Sequence, residues 1–197
     1  MAKDPSATKI KLLEAAAQVV REKGASQLTL EAVAEKANIS KGGLLYHYPN
    51  KSMLLAAMVT HLMESFEQAI ESQIAQGGSK MTWLEAFVVM SFDPNHSQLV
   101  ESAGILAAVA NDPSLLEPLR EQYKIWQAEA ETSGLDPNLA TIVRLAADGL
   151  WFTELFNVSP LNDEQRSQVL EALLNLIKDK ANHDYTRSIS PSEPQQL

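Results

Sequence analysis

Residues 29–51 read TLEAVAEKANISKGGLLYHYPNK. Leu30, Val33, Ala34 and Ala37 share one face of a helix that opens after Thr29. The Thr29 hydroxyl suits an N-cap, because it can accept from a backbone N–H two or three residues on. Asn38-Ile39 interrupts the pattern, and Ser40 offers a second N-cap eleven residues after the first. Two short helices joined by a tight turn have the spacing of a helix-turn-helix. The second, from Ser40 to about Tyr46, carries Gly42 and Gly43. Each glycine weakens an isolated helix by about 1 kcal/mol relative to alanine. In return it lets backbone approach another surface closely. The outward set is Ser40, Lys41, Tyr46, His47, Tyr48 and Lys51. Hydroxyls, a ring nitrogen and ammoniums suit phosphates and base edges. Three consecutive aromatic residues on one short helix cannot all point inward, so at least one of Tyr46, His47 and Tyr48 faces out.

Ser40-Lys41-Gly42-Gly43-Leu44-Leu45-Tyr46-His47-Tyr48, followed by Asn50-Lys51 and Leu54, resembles the recognition-helix signature of the TetR family of transcriptional regulators. The resemblance extends upstream through Val33-Ala34 and covers roughly residues 8–55. Two positions depart from it. Leu45 stands where many members carry an aromatic, and Pro49 where a lysine or polar residue is usual. Pro49 lacks a backbone donor and drives Tyr48 towards an extended backbone. The resemblance implies an all-α protein of about nine helices. An N-terminal three-helix DNA-binding domain (1–50) would precede a helical effector-binding and dimerisation domain (51–183). It implies DNA contacts at Thr29, Ser40, Lys41, Gly42, Gly43, Tyr46, His47, Tyr48 and Lys51. It also implies a homodimer on a palindromic operator, acting as a repressor until a small molecule binds.

The charge distribution agrees with a nucleic-acid-binding end. The chain of 197 residues carries a net charge of −9, yet residues 1–51 hold eight Lys/Arg against five Asp/Glu, a net of +3. The remainder holds eight against twenty, a net of −12. A basic end on an acidic body suits a DNA-binding module, although a chance fluctuation of a few charges gives the same asymmetry. Cysteine is absent, which excludes disulfides, thiolate nucleophiles and zinc–cysteine sites. No apolar run approaches the roughly 18–20 residues that span a bilayer, and the N-terminal residues lack the apolar core of a signal peptide. A soluble cytoplasmic protein is expected.

Pro5-Ser6 starts a first helix with an apolar stripe of Ile10, Leu13, Ala16, Ala17 and Val20, stopped by Gly24. Lys9 and Lys11 there could reach phosphate or remain solvated. Asn50 caps a long fourth helix, about 51–75, whose first turns should pack on the head while the rest enters the body, as a connecting lever. Five further helices are expected, at about 81–91, 96–110, 116–132, 137–157 and 163–181. Pro118 falls in a first turn, Asp136-Pro137 is an N-cap followed by proline, and Asn162 with Gln165 has capping-box spacing. The helix at 137–157 is apolar on more than one face. With 163–181 it forms a hairpin that either completes a dimeric four-helix bundle or belongs to an ordinary core. Residues 184–197 are polar and Pro/Ser-rich and read as a disordered tail.

Phe87, Met90, Tyr123, Trp126, Trp151, Phe152 and Leu155 are the candidate lining of a ligand cavity between helices, against plain core packing as the alternative. Asp148 and Glu154 flank Trp151, an arrangement that suits a cationic guest if the carboxylates are not paired elsewhere. His61 with Glu64, and Asp93 with His96, have metal-ligand spacing but no third ligand, so neither metal nor cofactor is expected. No Gly-rich phosphate loop, nucleophile motif or triad supports an enzyme. Two other readings remain. One is a helical small-molecule-binding protein whose helix-turn-helix is only structural; the other is a protein-interaction module.

Overall fold

The computed structural model describes residues 5–78, 81–93 and 112–189. The helix expected at 96–110 lies outside the described residues. Among the described residues there are eight α-helices and no strand. They are α1 (Pro5–Lys23), α2 (Leu30–Lys36), α3 (Lys41–His47), α4 (Lys51–Gly77), α5 (Trp83–Ser91), α6 (Glu117–Glu131), α7 (Pro137–Leu155) and α8 (Asp163–Ile189). No helix of the described residues is long and apolar enough to cross a membrane.

The ends of α2, α3 and α4 are set by side chains that the sequence marks. The Ala32 N–H donates to Thr29 Oγ1 (3.1 Å), the Gly43 N–H to Ser40 Oγ (3.1 Å) and the Met53 N–H to Asn50 Oδ1 (2.9 Å). Each bond satisfies one of the donors that a helix start leaves open. Gly24, at φ 83°, ends α1 in a conformation that costs glycine little. The turn between α2 and α3 rests on Asn38, at φ 51°. Its N–H donates to the Glu35 carbonyl and the next N–H, of Ile39, to the Ala34 carbonyl, both at 3.0 Å. That pair of bonds is a Schellman stop with asparagine in the left-handed position. Asn157 closes α7 in the same way, at φ 50°. A capping box at the start of α5, Thr82 with Glu85, was not among the expected starts.

Two apolar cores divide the molecule, and α4 belongs to both. The head core joins Leu12, Ala16 and Val19 of α1, Val33 of α2, Leu44 of α3 and Leu54, Leu55, Met58 and Val59 of α4. The stripe of α1 is turned relative to the expected one: Leu12 and Val19 are buried, and Ile10 is exposed. The body core takes Ala69 and Ile70 of α4 together with α5, α6, α7 and α8. A division at residue 50 therefore separates the first turns of α4 from the head core they help to build. Leu115, in the 3-10 turn Pro113–Leu116, is buried in the head core, and Leu116 and Leu119 pack against it. The body thus touches the head at a second place besides α4.

One expectation on element extent needs correction. Helix α8 runs to Ile189, into the stretch 184–197 read as a disordered tail. Polar composition argued for disorder there, but no glycine or proline interrupts 163–189, and Pro191 is the first residue able to stop the helix. Helix α7 is buried on one side only. Ala140, Val143, Ala147 and Leu150 face the core, whereas Ile142, Leu145, Phe152 and Phe156 are exposed.

Candidate DNA-binding surface and ligand cavity

On the head, the described α3 side chains divide between the outside and the core. Tyr46 is 82% exposed and meets the His47 ring edge-on at 5.1 Å between centroids. Lys41 and Lys51 are exposed. The Lys41 ammonium lies 2.6 Å from the Glu31 carboxylate, with both side chains more than half exposed. An ion pair in that setting contributes roughly 0–1 kcal/mol and yields readily to a competing anion. The ammonium also holds the Glu31 carboxyl below its ordinary pKa. Thr29 and Ser40 each accept one backbone N–H as a cap, which positions their hydroxyls and leaves the O–H groups as donors.

Two of the sequence expectations on this surface change. Tyr48 is only 6% exposed and sits in the head core, and burial pushes its phenol above the ordinary range. It supports α3 from within instead of facing a phosphate. Its backbone (φ −132°, ψ 89°) has left the helical region, which the following proline disfavours. Gly43 also has an internal reason to be glycine. A Cβ there would lie 2.9 Å from Ile39 Cγ2. Gly42 differs, since a Cβ at that position meets nothing within 4 Å. Gly43→Ala should therefore lower the melting temperature of the protein. Gly42→Ala should leave it unchanged or raise it by a degree or two, since alanine is the better helix former by about 1 kcal/mol. Thermal denaturation of both variants checks this. A Gly42→Ala variant that keeps its stability while losing affinity for DNA would assign the missing Cβ at residue 42 to backbone approach to DNA.

In the body, a cavity of about 120 Å³ opens between α4, α5, α6 and α7. Of the candidate lining residues, Phe87, Met90, Tyr123, Trp126 and Trp151 line it. Phe152 and Leu155 do not. Phe152 points outward beside Phe156, with ring centroids 4.8 Å apart, and Leu155 is buried away from the cavity. On a helix, residues 151 and 152 lie about 100° apart, so the side that holds Trp151 in the cavity carries Phe152 away from it. The sequence reading missed Leu62, Met63, Ser65 and Phe66, all on α4, because that helix was read only as a connector. A cavity of this size matches one aromatic ring.

Around the rings lies a set of polar partners. Trp126 Nε1 donates to Glu67 Oε2 at 2.5 Å, with Gln122 (3.3 Å) and Trp83 Nε1 (3.4 Å) also donating to that carboxylate. Asp148 takes the guanidinium of Arg144 and, at 3.3 Å, the hydroxyl of Tyr123. Burial raises the Asp148 pKa, partly offset by Arg144, and burial together with the Asp148 charge raises that of Tyr123. Glu154, which flanks Trp151 in the sequence, is paired with Arg166, whose Nε also donates to the Phe92 carbonyl at 2.9 Å.

Comparison with known proteins agrees with this geometry. Residues 12–58 match the family described as bacterial regulatory proteins of the tetR family. Residues 81–178 match the Tetracyclin repressor-like C-terminal domain. A curated relative in Bacillus subtilis (strain 168), named "Probable HTH-type transcriptional regulator YttP", is 22% identical over 120 residues. That match spans 59% of this chain and only 57% of the relative. Among solved structures, a transcriptional regulator from Rhodococcus sp. Rha1 superposes with a TM-score of 0.67 at 20% identity, covering 89% of this chain and 96% of the other. The multidrug binding protein EbrR complexed with ethidium gives 0.64 at 21% identity, covering 84% and 98%. At such identities these structures speak for the fold alone. The two family matches together take in the head and most of the body, and the chain belongs to the TetR family, a class of DNA-binding, ligand-responsive transcriptional regulators that are not enzymes.

Proposed function

We propose that the protein is a homodimeric repressor, held on a palindromic operator by two copies of α3 and released when a small molecule enters the body cavity. The observation that carries the reading is the double membership of α4. Leu54, Leu55, Met58 and Val59 belong to the head core, and Leu62, Met63 and Phe66 line the cavity one turn later. Leu62 and Leu119 take part in both, lining the cavity and packing against the head core. A guest that presses on this wall presses on residues that also pack against the head core. A shift of the wall reports a ligand only if the ligand binds the two arrangements with different affinity. The DNA contacts assigned are Lys41, Tyr46, His47 and Lys51, with Gly42 admitting backbone. Two heads would occupy successive major grooves about 34–36 Å apart. The exposed stripe of Ile142, Leu145, Phe152 and Phe156 supports a dimer through α7 and α8. EbrR, which shares the fold, is described as a multidrug binding protein, in line with an effector site in the body. Such a regulator acts where the chromosome is, in the cytoplasm.

A ligand-free test uses a side chain as the guest. Ser91 of α5 lines the cavity and is half-buried. Ser91→Phe should fill it, keep the dimer, and lower operator affinity at least about tenfold, about 1.4 kcal/mol. A folded, dimeric Ser91→Phe variant with wild-type operator affinity would contradict the coupling.

A further inference from the structure

We propose that the cavity selects an organic cation bearing an aromatic ring, a reading that rests on the effector site argued above and adds its charge class. Among the described lining residues no side chain is basic, and the two charged ones, Asp93 and Asp148, are carboxylates. The nearby guanidiniums are both held in ion pairs, Arg144 with the lining Asp148 and Arg166 with Glu154. Glu67 has no cationic partner among the described residues. Its three donors are the neutral N–H groups of Trp126, Gln122 and Trp83. Setting Asp148 and Glu154 against Arg144 and Arg166 leaves the Glu67 carboxylate, behind Trp126, as the negative charge without a cationic counterpart in this half-buried cluster of described residues.

The rings act in the same direction. Trp126 lines the cavity and gives its indole N–H to a full carboxylate at 2.5 Å. Donation to an anion pushes electron density onto the indole and strengthens the negative face it offers a cation. The arrangement of Phe66, Phe87, Tyr123 and Trp126, edge-on or tilted at centroid distances of 5.1–5.7 Å, builds a box of ring faces and edges. Tyr123 already holds a cation on one side, with the Arg144 guanidinium carbon 5.7 Å from its centroid. A neutral apolar guest would gain the ring contacts alone. An anion would meet carboxylates and electron-rich faces.

Three isosteric probes separate the cases. Phenyltrimethylammonium, tert-butylbenzene and benzenesulfonate share size and ring and differ in charge. Quenching of intrinsic tryptophan fluorescence in the full-length protein, without DNA, gives each dissociation constant. The cation should bind at least about tenfold tighter than tert-butylbenzene, with benzenesulfonate weakest. Glu67→Gln keeps an acceptor for the Trp126 N–H, and should cut the preference for the cation severalfold while leaving tert-butylbenzene binding unchanged. Equal or tighter binding of tert-butylbenzene, or benzenesulfonate binding best, overturns the charge assignment and leaves the effector site standing. Binding of none of the three overturns the charge assignment and the effector site together. The ranking in the wild-type protein decides the matter even if the variant fails to fold.

Discussion

Phe152→Arg should convert the protein from dimer to monomer and weaken operator binding at least about a hundredfold. In the single chain this ring is 55% exposed. It stands in a stripe with Ile142 and Leu145 on α7 and Phe156 just past its end, extended by Val158 in the following turn and Val169 on α8. Apolar residues at steps of three and four on an already folded helix have no stabilising role while water covers them. Packed against a second copy across a two-fold axis, the same two helices would make a four-helix bundle. An arginine at position 152 would then be buried without a partner, in both protomers at once. In the monomer it would lie in water, where substitutions usually change stability by less than about 0.5 kcal/mol. The loss on DNA follows because one head must bind without the effective concentration that its tethered twin supplies, a factor of roughly 10²–10⁴. Sedimentation velocity and operator titration of the same sample read both effects. A variant that stays dimeric places the interface elsewhere.

The second large effect separates two neighbouring tyrosines. Tyr48→Ala should destabilise the head by about 3–5 kcal/mol, the range for removing a buried aromatic. Tyr46→Ala should leave stability within about 0.5 kcal/mol and lower operator affinity at least about tenfold. Tyr48 is 6% exposed and packs in a core with Leu44 and Leu54, whereas Tyr46 is 82% exposed on the outer side of α3. A hydrogen bond to a charged phosphate contributes about 1.5–3 kcal/mol, and a dimer loses two. Thermal melts and operator titrations of the two variants should therefore show opposite patterns. A stable Tyr48→Ala protein, or a Tyr46→Ala protein with full affinity, would reverse the assignment of inside and outside on α3.

That pair also marks how far the sequence could be read. Helix starts were legible because they depend on one side chain and a spacing of two or three residues. Thr29, Ser40 and Asn50 all cap the helices they announce. The direction of a side chain just past a helix end is different. Pro49 announced that the Tyr48 backbone leaves the helical region, but whether the ring then turned into the core or out of it depended on the space left by Leu44 and Leu54. Gly43 looks like a DNA-facing glycine until Ile39 is placed beside it. On α7 the period marks two apolar faces without saying which one the body keeps. Phe152 was therefore read as cavity lining and lies outside the cavity, while Trp151 lines it. The contribution of α4 to the cavity and the seating of Leu115 in the head core join residues far apart in sequence. Neither leaves a periodic trace.

The central claim, a sequence-reading dimer anchored on phosphates through α3, is tested most directly by selection from a pool of random DNA duplexes, followed by titration of the enriched sequence across a salt series. The account predicts enrichment of an inverted repeat whose half-sites lie about one helical turn apart. Affinity for it should fall steeply and linearly with salt on logarithmic axes. The slope should be shallower in the Lys41→Ala/His47→Ala/Lys51→Ala variant, which lacks the phosphate partners assigned here. A pool that converges on no sequence, with binding as weak after selection as before it, would contradict the account.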